Sequence, residues 1–166
     1  MKYIFASDVH GSSKYLNILL QKFEESKADK LVLLGDLYYH GPRNPLPEEY
    51  SPKDCIKALN NINDKLIVVQ GNCDAEVDQM VSEFPIIKDV IISVDGLNLF
   101  LTHGHIYGPQ NIPANAGDVL LYGHYHVTNM EKKDNVYLLS PGSISLPKND
   151  TKRAYIAVSY THLTLP

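Results

Sequence analysis

Five short blocks of the sequence combine metal-binding side chains with an adjacent glycine. Each block follows an apolar run, and its donors are carboxylates, an amide or imidazoles. Mixed oxygen and imidazole donors suit first-row divalent ions such as manganese, iron, zinc or nickel. A single histidine of this kind is more often structural than a ligand, but five blocks together predict a metal site. The blocks are Asp8-Val9-His10-Gly11, Gly35-Asp36, Gly71-Asn72, His103-Gly104-His105 and Gly123-His124-Tyr125-His126.

The elements that must position these blocks are the apolar runs before them. Residues 2–6, 30–34, 66–70, 97–102 and 119–122 are predicted to be short strands. Ligands bind at the carboxyl ends of strands in α/β sheets, so we expect the blocks to meet at one edge. Side chains two residues apart point the same way in extended chain. We therefore expect each Asp-x-His or His-x-His pair to face the site from an extended segment.

The first half of the chain is predicted to be parallel α/β structure. Apolar residues at helical spacing from Leu16 to Phe23 indicate an amphipathic helix between the first two strands, and so a right-handed βαβ unit. Ser51-Pro52 is typical of a helix start. Residues 37–50 are predicted to be a proline-shaped surface loop, and residues 75–83 to hold one or two helical turns.

The second half is predicted to be rich in hairpins and poor in helices. Asp95-Gly96 and Asp134-Asn135 are turn signals between apolar runs. Both halves together favour an α/β fold: a four-layer α/β/β/α sandwich of two mixed β-sheets flanked by helices. Besides the strands that precede the blocks, we expect strands at residues 86–94, 136–140 and 155–158.

Composition narrows the class of protein. The 166 residues are expected to form one domain over residues 1–158, followed by an atypical tail, residues 159–166, interpreted as truncated or foreign. A net charge of -4 argues against general nucleic-acid binding. No apolar run reaches the ~18 residues that span a bilayer, so no membrane association is expected. Two cysteines give no disulfide framework, which favours a cytoplasmic location.

The ordered blocks resemble the calcineurin-like metallophosphoesterase superfamily and, within it, the bacterial YfcE-like phosphodiesterases. Residues 40–44, residues 71–74 and Pro141-Gly142-Ser143 carry the second resemblance. It implies two divalent metal ions, with manganese expected and iron, zinc, nickel or magnesium as alternatives. It also implies that Asp36 bridges them. One ion would be held by Asp8, His10, Asp36 and His126, and the other by Asp36, Asn72, His103 and His124.

By this resemblance the expected function is hydrolysis of phosphate esters. A metal-bridging hydroxide would be the nucleophile, and a small phosphodiester the substrate. A phosphomonoesterase or nucleotide phosphatase on the same site is the alternative. A retromer-subunit-like scaffold without catalysis is disfavoured because every ligand position holds a good ligand. A homo-oligomer is possible only by analogy.

Five positions in or near the blocks are candidates for direct roles in catalysis or substrate binding. Cys73 stands where much of the superfamily has a histidine, and a thiol is a poor proton donor, so diesters and activated esters are expected to react best. The competing interpretation is that Cys73 only fills space. Arg43 could bind a substrate phosphate or be a solvated surface residue, and Asn72 could contact substrate as well as metal. Asp74 and His105 complete the predicted catalytic set, with a supporting hydrogen-bond role also open for His105.

Overall fold

The computed structural model describes residues 1–159 and contains two five-stranded sheets packed face to face. The first sheet has the order β10-β1-β2-β3-β4, with β10 antiparallel to β1 and the other neighbours parallel. Its strands are β1 (Lys2–Ala6), β2 (Lys30–Leu33), β3 (Leu66–Val69), β4 (Ile86–Ile87) and β10 (Ile156–Ser159).

The second sheet has the order β5-β6-β7-β9-β8. Its three central strands are parallel to one another, and both edge strands are antiparallel to their neighbours. Its strands are β5 (Val90–Val94), β6 (Leu97–Leu101), β7 (Val119–Leu121), β8 (Thr128–Lys133) and β9 (Val136–Pro141).

Side chains alternate between the two faces of each strand in the first sheet, so both faces of this sheet are packed by hydrophobic core. Ile4 faces the helices, and its neighbour Phe5 packs between the two sheets. The helices are α1 (Ser13–Glu25), α2 (Pro52–Asn60) and the short α3 (Glu76–Val81), with a 3-10 turn at Asn63–Lys65. Ser51 precedes α2 and Pro52 opens it, as predicted.

The predicted fold class is confirmed, with one difference in the outer layer. Phe100, Leu120 and Leu138 on the outer face of the second sheet are packed by Tyr107 and Ile112. These two residues lie in the connection between β6 and β7, where the described chain forms no helix. The layer outside this sheet is therefore irregular chain.

Two strand predictions need correction. The apolar run 86–94 is not one strand, because the charged pair Lys88-Asp89 lies where the chain passes from β4 in the first sheet to β5 in the second. Strand β8 was not expected from the pattern, since this edge strand is mostly exposed and polar. The hairpin turns at Asp95-Gly96 and Asp134-Asn135 are confirmed, and all four residues have positive φ.

The predicted tail, residues 159–166, lies outside the described residues except for Ser159, which ends β10. Within residues 1–159, every helix is too short or too polar to cross a lipid bilayer.

Candidate metal centre

The donor residues sit on tight turns just beyond the strand ends. Asp8 and His10 have φ of 57° and 49°, and His124 and His126 have φ of 70° and 59°. These are left-handed values, not the extended backbone expected from the sequence. The two pairs therefore reach the site because the chain turns sharply at each donor, and the predicted geometry of extended segments is wrong.

Asp8, His10 and His126 form the first group of donors. The two Nε2 atoms lie 3.1 Å apart, and Asp8 Oδ1 is 3.2 Å from Nε2 of His126 and 3.6 Å from that of His10. Asp8 is fully buried, yet no hydrogen-bond partner in residues 1–159 satisfies its Oδ1. An unsatisfied buried carboxylate oxygen is costly, so the group has the character of a cation site.

Backbone carbonyls fix the orientation of three imidazoles. Nδ1 of His10 donates to the Tyr39 carbonyl over 2.8 Å, Nδ1 of His103 to that of Leu34 over 2.6 Å, and Nδ1 of His126 to that of Leu146 over 2.7 Å. A carbonyl only accepts, so Nδ1 carries a proton, and Nε2 offers a lone pair whenever the ring is neutral. These lone pairs point into the cluster, as ligand histidines require.

The second group of donors joins the first through Asp36. Asp36 Oδ2 lies 3.3 Å from Nε2 of His103 and 3.6 Å from Nε2 of His10, so this carboxylate stands between the groups. Asn72 Oδ1 lies 3.0 Å from His103 Nε2 and 2.9 Å from His124 Nδ1. The structure thus brings together all seven side chains predicted as ligands, and their oxygen and imidazole donors fit a pair of divalent ions.

The charges of the cluster are strongly coupled. Burial alone would raise the pKa of Asp8, but His10 and His126 beside it hold that pKa well below its ordinary value. Burial opposes protonation of His103, yet its contact with Asp36 raises the pKa of this histidine to about 9. Burial, and then repulsion from His103, lowers the pKa of His124 to about 4. Asp8 and Asp36 therefore favour positive charge in the deep part of the site, where a cation would be held.

Asp74 lies beneath the cluster and connects two of its loops. Its carboxylate accepts backbone N–H groups of Asp36 and Leu37, both over 2.8 Å, and of Gly71 over 2.7 Å. Asp74 is only 7% exposed. With its oxygens occupied by three backbone donors, Asp74 has the contacts of a positioning residue, and the structure gives no geometric support to the direct catalytic role predicted for it.

Cys73 and His105 occupy different places around the donors. The backbone N–H of Cys73 donates to Asp36 Oδ1 over 2.9 Å, and the residue lines the adjacent cavity. Burial, together with repulsion from Asp36, raises the pKa of the Cys73 thiol to about 12. The His105 ring packs 5.3 Å from that of His103 and 6.1 Å from that of His124, but the residue does not line this cavity.

An open cavity of about 740 Å³ lies over the cluster. Both residues predicted to bind substrate, Arg43 and Asn72, line it. Lys148, Tyr39 and Tyr125 also line it and were not predicted from the sequence. Tyr125 lies between the predicted ligands His124 and His126, Tyr39 follows the predicted ligand Asp36 by three residues, and Lys148 follows the Pro141-Gly142-Ser143 block of the resemblance.

Comparison with known proteins decides the family. Residues 1–162 match the calcineurin-like phosphoesterase superfamily domain. The chain belongs to this superfamily. It is 46% identical over 157 residues to phosphodiesterase YfcE of Escherichia coli K12, which covers 93% of this chain and 85% of YfcE. The solved structure of YfcE, a phosphoesterase, matches with a TM-score of 0.92 and 44% identity over 96% of this chain and 88% of that one.

A more distant match shares the fold alone. Vps29 of Chaetomium thermophilum has a TM-score of 0.61 at 17% identity, covering 90% of this chain and 73% of that one. The predicted family, fold class and enzyme class, a phosphoric ester hydrolase, are confirmed. Membership of a metallophosphoesterase family implies divalent metal ions, in agreement with the three Asp/His/Cys groups that the described residues offer.

Proposed function

We propose that this chain hydrolyses small phosphodiesters at a dinuclear metal centre. The observation that carries the proposal is the arrangement of Asp8, His10 and His126. Their three lone-pair donors converge in a buried site, and one carboxylate oxygen there has no hydrogen-bond partner among the described residues. The 46% identity to a phosphodiesterase supports the choice of a diester substrate.

Each of the two groups of donors is proposed to hold one metal ion. Asp8, His10 and His126 would hold one ion, Asn72, His103 and His124 the other, and Asp36 would contact both. Divalent ions held there would lower the pKa of bound water and neutralise charge on a phosphoryl group. We propose manganese by resemblance, with iron, zinc, nickel and magnesium as the other results of a metal panel.

The remaining residues of the cavity act on the substrate. Arg43 and Lys148 place positive charge beside the metal ligands, which favours binding of the anionic phosphodiester. Cys73 stays protonated at neutral pH, and its thiol is a weak hydrogen-bond donor to a leaving oxygen. Esters whose alcohol leaves without being protonated should therefore react fastest. Monoesters with poor leaving groups should react slowest.

The decisive experiment compares p-nitrophenyl phenyl phosphate, a diester, with p-nitrophenyl phosphate, a monoester, across a panel of divalent metals. We expect metal-dependent release of p-nitrophenol, with the diester preferred. Asp36→Ala should abolish it, whereas Glu24→Ala, on the exposed side of α1, should not. Diester hydrolysis that survives Asp36→Ala or complete metal removal would overturn the proposal.

Phosphomonoester hydrolysis on the same site is the alternative function, and Cys73 separates the two. Cys73→His places an imidazole at position 73 and should raise the monoester-to-diester ratio of kcat/KM. An unchanged ratio would count against the role given to the thiol. Monoester activity above diester activity in the wild-type chain would favour the alternative.

Three broader expectations remain proposals. We propose that residues 1–158 suffice for the activity, and a variant ending there tests this. A cytoplasmic location is proposed because Cys55 and Cys73 are both free thiols. A homo-oligomer is proposed by analogy, and light scattering on the purified chain would give its mass.

A further inference from the structure

Two large aromatic side chains lie open in the cavity above the donors. Tyr39 is 41% exposed and Tyr125 is 42% exposed, and both line the cavity that contains His124 and His126. Tyrosine rings bury large apolar areas when they find a partner. A half-open ring in a cavity beside reactive groups therefore offers contact area to a bound molecule.

Both tyrosines have contacts that place them close to the donors. The backbone carbonyl of Tyr39 accepts from His10 Nδ1, and its ring packs edge-on against His40 with centroids 4.8 Å apart. The Tyr125 ring packs edge-on against His124 and Tyr122, with centroids 5.2 Å and 6.0 Å apart. Each tyrosine is thus joined to a different histidine of the cluster, Tyr39 through its backbone carbonyl and Tyr125 through its ring.

The charged and the aromatic residues of the cavity suit different parts of a phosphodiester. Arg43 and Lys148 supply the cations that attract the phosphate, and the tyrosines are left to contact the organic arms of the ester. A diester has two such arms and a monoester has one. A planar arm stacks on a tyrosine ring, whereas a saturated arm of the same size gains only its apolar contact.

We propose that Tyr39 and Tyr125 form an aromatic binding surface that selects phosphodiesters carrying a planar aromatic ring on the retained ester arm. The inference rests on the proposed diesterase function and names the substrate class for that same site. In the reaction, the bond from phosphorus to the leaving oxygen breaks, and the oxygen of one water forms the new bond to phosphorus. The products are the monoester of the retained arm and the departing alcohol, with the water protons going to the leaving group and the solvent.

The test uses two diesters with the same leaving group and retained arms of equal size. p-Nitrophenyl phenyl phosphate carries a planar ring, and p-nitrophenyl cyclohexyl phosphate carries a saturated one. The measured quantity is the ratio of their kcat/KM values with manganese-supplemented protein. Since the variants are compared with wild type, the intrinsic difference in reactivity of the two esters cancels.

Tyr39→Leu and Tyr125→Leu should each lower the phenyl-to-cyclohexyl ratio about 5- to 10-fold, and the Phe variants should restore it. Tyr155→Leu is the matched control, because Tyr155 is 40% exposed but lies outside this cavity. Substitution of Tyr39 leaves its backbone carbonyl in place for His10. Circular dichroism and manganese binding check that each variant keeps its fold and its donors.

The possible failures are distinguishable. If both Leu variants hydrolyse both esters with the wild-type ratio, the aromatic surface is wrong and the proposed function stands. If the wild-type chain hydrolyses neither ester, the proposed function fails. Calorimetric binding of diphenyl phosphate against dicyclohexyl phosphate then still tests the inference, and a wild-type chain without preference for diphenyl phosphate would overturn it.

Discussion

Two buried serine hydroxyls hold the backbone carbonyl of Asp8 from the far end of the sequence. Ser143 Oγ donates to it over 2.7 Å and Ser145 Oγ over 2.9 Å. Ser143 Oγ also accepts backbone N–H groups of Leu146, over 2.9 Å, and of Ser145, over 3.2 Å. We predict that alanine substitutions of the two serines have unequal and non-additive effects on the free energy of unfolding.

The magnitude follows from the groups that each substitution leaves without a partner. Ser145→Ala removes one hydrogen bond, but the Asp8 carbonyl keeps Ser143, so the loss should be about 1 kcal/mol. Ser143→Ala also takes the acceptor from the Leu146 N–H, so about 2 kcal/mol is expected. The double variant leaves the buried Asp8 carbonyl with neither hydroxyl. It should lose about 1 kcal/mol more than the sum of the single variants.

Urea unfolding followed by circular dichroism measures these losses, since the chain has no tryptophan. EDTA in all samples removes any contribution from bound metal. Ser93→Ala is the control, because the Ser93 hydroxyl donates to Asn98 at an exposed position and should change stability by less than about 0.5 kcal/mol. A larger loss for Ser145→Ala than for Ser143→Ala, or strict additivity in the double variant, would refute the reasoning.

Three further predictions concern the loops under the cluster. Asp74→Asn leaves one oxygen to serve three backbone donors and should lower the free energy of unfolding by about 3 kcal/mol, measured by urea titration. The new Cβ of Gly71→Ala would collide with the backbone nitrogen and carboxylate of Asp36, so manganese binding measured by calorimetry should weaken at least about tenfold. Gly96→Ala is the control, because its Cβ faces open space and should leave manganese binding unchanged. Burial and Asp36 raise the pKa of the Cys73 thiol from 9.0 to about 12. In a Cys55→Ser variant kept in EDTA, alkylation of Cys73 by iodoacetamide at pH 8 should therefore be on the order of 10³-fold slower than alkylation of an ordinary thiol. The alkylation rate should still increase with pH above pH 11. An ordinary alkylation rate at pH 8 would contradict that pKa.

The sequence predicted the donor set because its signals are local. Each block combines a ligand residue, a glycine and a preceding apolar run, and the run identifies the strand end. The carboxyl ends of parallel strands in one sheet meet at one edge, so residues as distant as Asp8 and Asn72, which follow β1 and β3 of the first sheet, could be placed together from the sequence. The parallel first sheet followed from the same apolar runs and from the helical spacing in α1.

The conformation of the turns could not be predicted from those signals. Alternation assumes extended backbone, and left-handed residues at Asp8 and His124 reverse the direction in which neighbouring side chains point. Hydrogen bonds between distant parts of the sequence could not be predicted either. Ser145 binds the Asp8 carbonyl although the two residues are 137 positions apart, and Ser145 belongs to no periodic pattern.

The strain in these turns explains why the donors need so many anchors. Each non-glycine residue in the left-handed region costs roughly 1–2 kcal/mol. Hydrogen bonds between the turns offset this cost: the Asp8 N–H donates to the Gly35 carbonyl over 3.1 Å, and the Gly123 N–H to the His103 carbonyl over 2.7 Å. Five of the seven proposed ligands have positive φ, namely Asp8, His10, Asp36, His124 and His126.

Many of these anchors leave the donor atoms of the proposed ligands free. Asp74, Ser143 and Ser145 hold backbone groups, while the imidazoles of His10, His103 and His126 are held at Nδ1 and so keep Nε2 for the cluster. The free energy needed to bring the carboxylates and imidazoles together is therefore supplied by folding, before any cation binds. The donors are thus held close together by contacts outside the proposed ligand set, so we expect changes to the anchors to weaken the binding of divalent ions even where they leave every proposed ligand in place.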